Sequence, residues 1–343
     1  MRRRTVVSRI GTFHVFVLFA SLVATLPDTA AAGMTPGGGT CPNDPPLAQV
    51  EAVPMYSDAK GSVVDADNLR LHEQQILPLR NFVTDAGSRA DSDDRGEREC
   101  ALRMMRDWAK TGAMAQPPAD FNGLRELERF TISLNIIVLK LRADGLDIAP
   151  LLDWLGTLNH TVIQRFENRN QVDNLDVWSG VAAASYALLS GNEVARRHED
   201  SVWKQGIAAI RPDGFVNSEL RRGARALSYH VYDLSALLTL NAFRNALGEP
   251  ISAQDRAALA RLVNRVGSSL CEPSAMTAAA GGMAQEKVRP IVFAPIVAFA
   301  GNFADARMRS CGASDIPTTD PILGGDLNKT AAILANRHSG HAP

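Results

Sequence analysis

Almost nothing in this 343-residue chain is charged in excess. Its formal net charge is −1, which excludes the polybasic footprint of a nucleic-acid binder. No Cys-x-x-Cys pair and no Cys/His spacing suited to a metal occurs, so neither a metal nor any other cofactor is expected. A Gly-rich phosphate loop, a G-x-S-x-G elbow and an H-E-x-x-H pair are absent too. Runs that alternate apolar with polar residues, the mark of strands, are also missing. Beyond the first 26 residues no apolar run is long enough to cross a bilayer. What these absences leave is a helical protein working with side chains alone.

What is present begins with a leader. Arg2, Arg3, Arg4 and Arg9 precede a short apolar run over 13–26, and Ala30-Ala31-Ala32 supplies small residues for cleavage before Gly33. That pattern is a secretory signal. The expectation is an exported protein, periplasmic or secreted, with no stable membrane insertion and no cysteine placed for a lipid anchor. Residues 1–32 hold four arginines and one aspartate, so the mature balance is about −4. Any grip on a polyanion must then come from a local cluster such as Arg221, Arg222 and Arg225. The four cysteines, Cys41, Cys100, Cys271 and Cys311, suit two disulfides in an oxidising compartment. Three pairings are open. Cys41–Cys100 with Cys271–Cys311 is favoured, because each would pin a terminal segment to the body.

From residue 69 onward apolar residues recur at three and four positions, as in Leu124, Leu127, Phe130, Leu134 and Ile137. Helices are predicted over 69–83, 97–111, 123–143, 147–168, 177–190, 193–209, 227–246, 253–270 and 290–301. Gly112, Pro117-Pro118, Gly145, Gly191-Asn192, Pro212-Asp213-Gly214 and Gly248 mark the breaks. The rhythm of helix and turn predicts an all-α fold, read as an incomplete α/α barrel (a toroid) of helical hairpins, with a plain helical bundle or solenoid as the alternative. Residues 33–343 are expected to form a single domain acting as a monomer. The polar stretches near 61–95 read as exposed chain, the second of them a mobile loop over a cleft.

The chemistry concentrates at 225–232. Arg225, Tyr229 and Tyr232 fall at i, i+4 and i+7 and so share one helical face. A guanidinium fork matches a carboxylate, and a phenol beside it can move a proton. β-Elimination of a uronic-acid polymer needs both.

The segment 213–242 resembles the core of the family 5 polysaccharide lyases, the periplasmic alginate lyases. Asp213-Gly214-Phe215, Glu219-Leu220, Arg222, Arg225-Ala226-Leu227, Tyr229-His230 and Tyr232 carry the likeness. Cys41-Pro42, Glu99-Cys100-Ala101-Leu102, Asp107-Trp108-Ala109 and Gly324-Gly325-Asp326 extend it over residues 41–334. The resemblance implies an α/α barrel that cleaves an anionic polysaccharide, with Arg225 and Asn174 neutralising the carboxylate and Tyr232 transferring protons. It places Trp178, Tyr229, His230, Arg222 and Lys60 among the substrate-binding residues. Two departures stand out. Where the family has Asn-Asn-His-x-Tyr-Trp, this chain reads Asp173-Asn174-Leu175-Asp176-Val177-Trp178, so Leu175 replaces the catalytic histidine. Asp58 stands where the family has a lysine, with Lys60 two residues on.

One tyrosine can act as both base and acid when the C5 hydrogen and O4 leave from the same side of the ring. Mannuronate- and glucuronate-type β-1,4 linkages meet that condition, and they are the expected substrates of a syn elimination. The alternative is a catalytically impaired uronan-binding protein on a lyase scaffold, serving exopolysaccharide handling.

Overall fold

Three long helices are buried on nearly every face, and that decides the architecture. In a computed structural model describing residues 41–58, 63–167, 169 and 172–338 (His338 by its backbone alone), they are α3 (Phe121–Ala143), α5 (Asn174–Ser190) and α8 (Ala226–Ala246). They stand side by side with α1 (Ala66–Asp91), which buries only one stripe and therefore ends the inner row. Each inner helix pairs with an outer, one-sided helix: α2 (Arg95–Thr111), α4 (Leu152–Phe166), α6 (Glu193–Ala209) and α9 (Ala253–Cys271). Four hairpins in two layers make the expected incomplete α/α barrel.

Local chemistry fixes where the helices start and stop. Asp65, Asp94, Asp120, Asp173, Asn192 and Ser252 each accept a backbone N–H from the first turn of α1, α2, α3, α5, α6 and α9. Gly112 and Gly191 close α2 and α5 in the left-handed conformation. Both disulfides join the favoured pairs, Cys41–Cys100 and Cys271–Cys311. No helix among the described residues is long and apolar enough to cross a membrane.

The stretch 84–99 differs from expectation. It is not a loop: α1 runs on to Asp91, and only three residues separate it from α2. Its small residues serve packing. A Cβ on Gly87 would sit 3.1 Å from the Gly324 carbonyl oxygen, so glycine lets the ribbon of Thr319–Asp320 and Gly325–Asp326 lie close against α1, where a side chain would push it out by a few tenths of an ångström. The fully buried Lys140 ties that ribbon down, donating to Asp91 at 2.6 Å and to the Gly324 carbonyl at 2.8 Å. The closing Gly324-Gly325-Asp326 motif is thus a structural clasp. Beyond it α12 (Leu327–His338), which the apolar pattern did not reveal, packs on α8, α3 and the short α11 (Ala294–Phe299).

Candidate active site

The chain entering α8 is built to hold its first turn still. Gly214 sits at φ +82°, and a Cβ there would meet the Arg261 carbonyl oxygen at 2.5 Å, so the Asp213-Gly214 turn requires glycine. The turn delivers Phe215 edge-on to His230, with ring centroids 5.9 Å apart. His230 is fully buried, accepts the Val216 N–H at Nε2 (3.0 Å) and donates from Nδ1 to the Ala226 carbonyl (2.8 Å). Burial holds its imidazole down at about 4, hence neutral. His230 therefore does not line the cleft as expected. It clamps the turn and the short helix α7 (Asn217–Leu220) onto α8.

Arg225 closes a 3-10 turn over Gly223–Arg225 and is the residue before the α8 helix proper. Its side chain still shares a face with Tyr229, lying 5.3 Å from that ring. A third phenol joins from the chain before α1: Tyr56 hydroxyl is 2.9 Å from the Tyr229 hydroxyl, and Arg225 lies 5.1 Å from its ring. Arg222 also lies over the Tyr229 ring, at 4.4 Å. One turn along α8, the Tyr232 ring is 5.9 Å from Tyr229 and its oxygen accepts an N–H of Arg289 at 2.9 Å. Arg289 arrives on a strap, 283–289, whose Gln285 accepts the Leu227 N–H and donates to the Gly223 carbonyl. The exposed Glu286 of the strap pairs loosely with Arg225 Nε at 3.6 Å.

Three phenols among three arginines polarise one another. Burial first, then the Tyr56 oxygen beside it, pushes the Tyr229 phenol well above its ordinary value. Burial would also raise Tyr56, yet the Tyr229 hydrogen bond and the Arg225 charge outweigh it and leave Tyr56 lowered. Arg225 keeps its charge, and its Nη1 is buried with no hydrogen-bond partner among the described residues. Such a donor is costly to leave unmet.

Beneath the arginines lies a buried acidic layer. Glu219, wholly buried, accepts the Asn174 N–H at 3.1 Å and its side-chain amide at 3.2 Å. Asn174 is thereby fixed at the first turn of α5, with part of its amide committed to Glu219. Arg222 stands 3.9 Å from both Asp173 and Glu219, and Arg169 bridges Asp173 and Asp176. Burial and the neighbouring Asp173 push Glu219 and Asp176 up to about 7. Despite these carboxylates, no group of three His, Cys, Asp or Glu among the described residues is arranged to hold a metal. Leu175 and Trp178 follow Asn174 on α5, both half-buried against the core.

Asp58 uses its carboxylate to accept the Val63 N–H at 2.7 Å, closing a small hairpin. Lys60 lies outside the described residues, as do residues 1–32 with the secretory signal. Sequence reasoning brought Arg225, Tyr229, Tyr232, Arg222 and Asn174 to one place and missed Tyr56, Arg289 and the supporting role of Glu219. Arg125 and Arg129, near the start of α3, bear electrostatically on Tyr56 and Tyr232. The first turns of α3, α5 and α8 therefore converge here with their positive dipole ends, a setting for an anion. A separate cavity of about 690 Å³, lined by Arg106, Lys110, Asp153 and Trp154, opens at the other end of α4.

The fold and this site define an all-α toroid with a cationic, phenol-lined patch suited to acidic sugars. The alginate lyase family model matches residues 147–275, which include Asn174, Arg225 and Tyr232. A polysaccharide lyase of Stenotrophomonas maltophilia is 24% identical over 245 residues, covering 68% of this chain and 74% of its own length. An alginate lyase of Pseudomonas paraeruginosa is 26% identical over 256 residues, 69% of this chain and 70% of the other. Among solved structures, an alginate lyase A1-III complexed with tetrasaccharide superposes with a TM-score of 0.71 at 17% identity, over 84% of each chain. The chain is thus similar to alginate lyases over its central helices, and it shares their fold.

Proposed function

We propose that this protein is a polysaccharide lyase that cleaves a β-1,4-linked uronan, of mannuronate or glucuronate type, by syn β-elimination. The observation that carries the reading is the buried Nη1 of Arg225, unpartnered among the described residues, beside a row of phenols. A substrate carboxylate pairing with that fork gains a charge-assisted bond and loses the negative charge that keeps the C5 proton from leaving. Asn174 assists as a neutral donor from a position set by Glu219. Tyr232 takes the C5 proton, the C5–H electron pair forms the C4–C5 double bond, and the C4–O4 bond breaks. The same phenol then returns the proton to O4. Arg289 donates into the Tyr232 oxygen, steadying it while it carries negative charge. Trp178 and Tyr229 offer faces for neighbouring sugar rings, and Arg222 offers charge for a neighbouring carboxylate. The relatives' names support the substrate class, and the two disulfides suit a periplasmic or secreted site of action. The test is Tyr232→Phe, which removes only the hydroxyl. Turnover should fall by about 10²–10⁴-fold with polymer binding retained. Full activity in that variant rejects Tyr232 as the proton-transfer residue.

A further inference from the structure

We propose that Tyr56 is a second proton-transfer residue, placed to take the C5 proton when C5–H and O4 lie on opposite faces of the sugar, so that guluronate-type linkages are also substrates. The inference rests on the lyase reading above and concerns what fills the role left open by Leu175. Tyr56 comes from outside the helical core, on the hairpin in which it bridges Val64, and its phenol is directed to the same patch. The groups facing it are Tyr229 and Arg225 from the start of α8 and Arg125 from α3. Behind these stand Arg222 against Tyr229 and the exposed Glu286 beside Arg225. All but Glu286 favour negative charge on the Tyr56 oxygen. The two hydroxyls share one hydrogen bond at 2.9 Å; burial raises Tyr229, while Tyr229 and Arg225 leave Tyr56 lowered, so Tyr56 is the phenol of the pair that more readily carries negative charge.

Tyr229 touches both other phenols, its hydroxyl 2.9 Å from that of Tyr56 and its ring 5.9 Å from that of Tyr232, and each of those two phenols has its own arginine, Arg225 or Arg289. Two independent groups are what an anti elimination requires, whereas one phenol suffices only for a syn elimination. In the anti step the Tyr56 phenolate removes the C5 proton and the C5–H pair becomes the C4–C5 double bond. The C4–O4 bond breaks, and the Tyr232 hydroxyl protonates O4. Proton exchange with water then restores both phenols, and nothing is oxidised or reduced.

The experiment uses the mature chain as wild type, Tyr56→Phe and Tyr229→Phe, with two readouts. Tyrosinate absorbance during an alkaline titration, which needs no substrate, should show one phenol ionising below the ordinary value of about 10. That step should vanish in Tyr56→Phe and move upward in Tyr229→Phe, where the shared hydrogen bond is lost. Ultraviolet assays on polyguluronate and polymannuronate should show the Tyr56→Phe rate falling at least ~100-fold on the first and far less on the second. Absence of the early titration step overturns the proposal whatever the polymers do. So does polyguluronate cleavage at the wild-type rate by Tyr56→Phe, or its absence in a wild type that cleaves polymannuronate. An early step without turnover on any uronan rejects the lyase reading itself, and the catalytic step of Tyr56 with it.

Discussion

Arg225 carries a buried donor with nothing to bind among the described residues, and an unmet donor of this kind costs about 1–3 kcal/mol. A lysine there has a point charge but no fork. Arg225→Lys should therefore raise KM for polyuronate and lower kcat, with folding stability held or improved; unchanged kinetics on polymannuronate would reject Arg225 as the carboxylate partner. Arg289→Met removes the donor to the Tyr232 oxygen. Hydrogen bonds to charged groups are worth about 1.5–3 kcal/mol, so kcat should drop roughly 10- to 100-fold while the melting temperature stays put. The residues found by sequence and those missed differ in one respect. Arg225, Tyr229 and Tyr232 sit within one helical repeat, so their common face follows from 3.6 residues per turn. Tyr56 meets Tyr229 across 173 residues, and Arg289 meets Tyr232 across 57. No local period encodes such meetings. His230 shows the converse: it was expected among the substrate-binding residues, and the structure shows both its nitrogens engaged by backbone.

At the level of elements, most of the helical fold was legible because one-sided apolar stripes, as in α2, α6 and α9, agree with the Asp94, Asn192 and Ser252 caps that open them. Two places were not. The end of α1 is polar and Gly/Ser-rich, and it stays helical because Ala86, Gly87 and Ala90 pack under the C-terminal ribbon. The short α12 depends on docking against α8 and α3 rather than on its own pattern. His230 supports an element rather than the chemistry. His230→Leu leaves the Val216 N–H unpaired, and stability should drop by about 1–3 kcal/mol. In a cooled assay of folded protein its kcat on polymannuronate should change much less than that of Tyr232→Phe. An equal loss of kcat with no loss of stability would place His230 in the reaction instead.

Across the whole molecule, buried acids set the pH response. Asp176, Glu199 and Glu219 are pushed up to about 7 by burial, and Glu128 and Asp233 well above their ordinary range for the same reason. Between the ordinary carboxyl values near 4 and these raised ones, the folded state holds protons that the unfolded chain has lost. Stability therefore falls as pH rises through that window. The buried His198 and His230, held at about 4, act in the opposite sense as pH drops below the ordinary imidazole value. With these raised acids outnumbering the two histidines, the melting temperature should be higher at pH 6 than at pH 8; the reverse order would mean that these acids are ionised in the fold. The disulfides close spans of 59 and 40 residues, each worth about 4 kcal/mol by chain entropy, so reduction should lower the melting temperature steeply. The central claim is narrower: that this toroid eliminates rather than merely holds a uronan, although Leu175 stands where the resemblance implies a histidine. Ultraviolet absorbance of the wild-type protein with polymannuronate, polyguluronate, glucuronan and hyaluronan tests it most directly, because elimination leaves a double bond conjugated to the carboxylate. A steady rise with polymannuronate or glucuronan is the predicted result. No rise on any of the four, from folded protein that still binds one of them, would contradict the claim and make the protein a uronan-binding module.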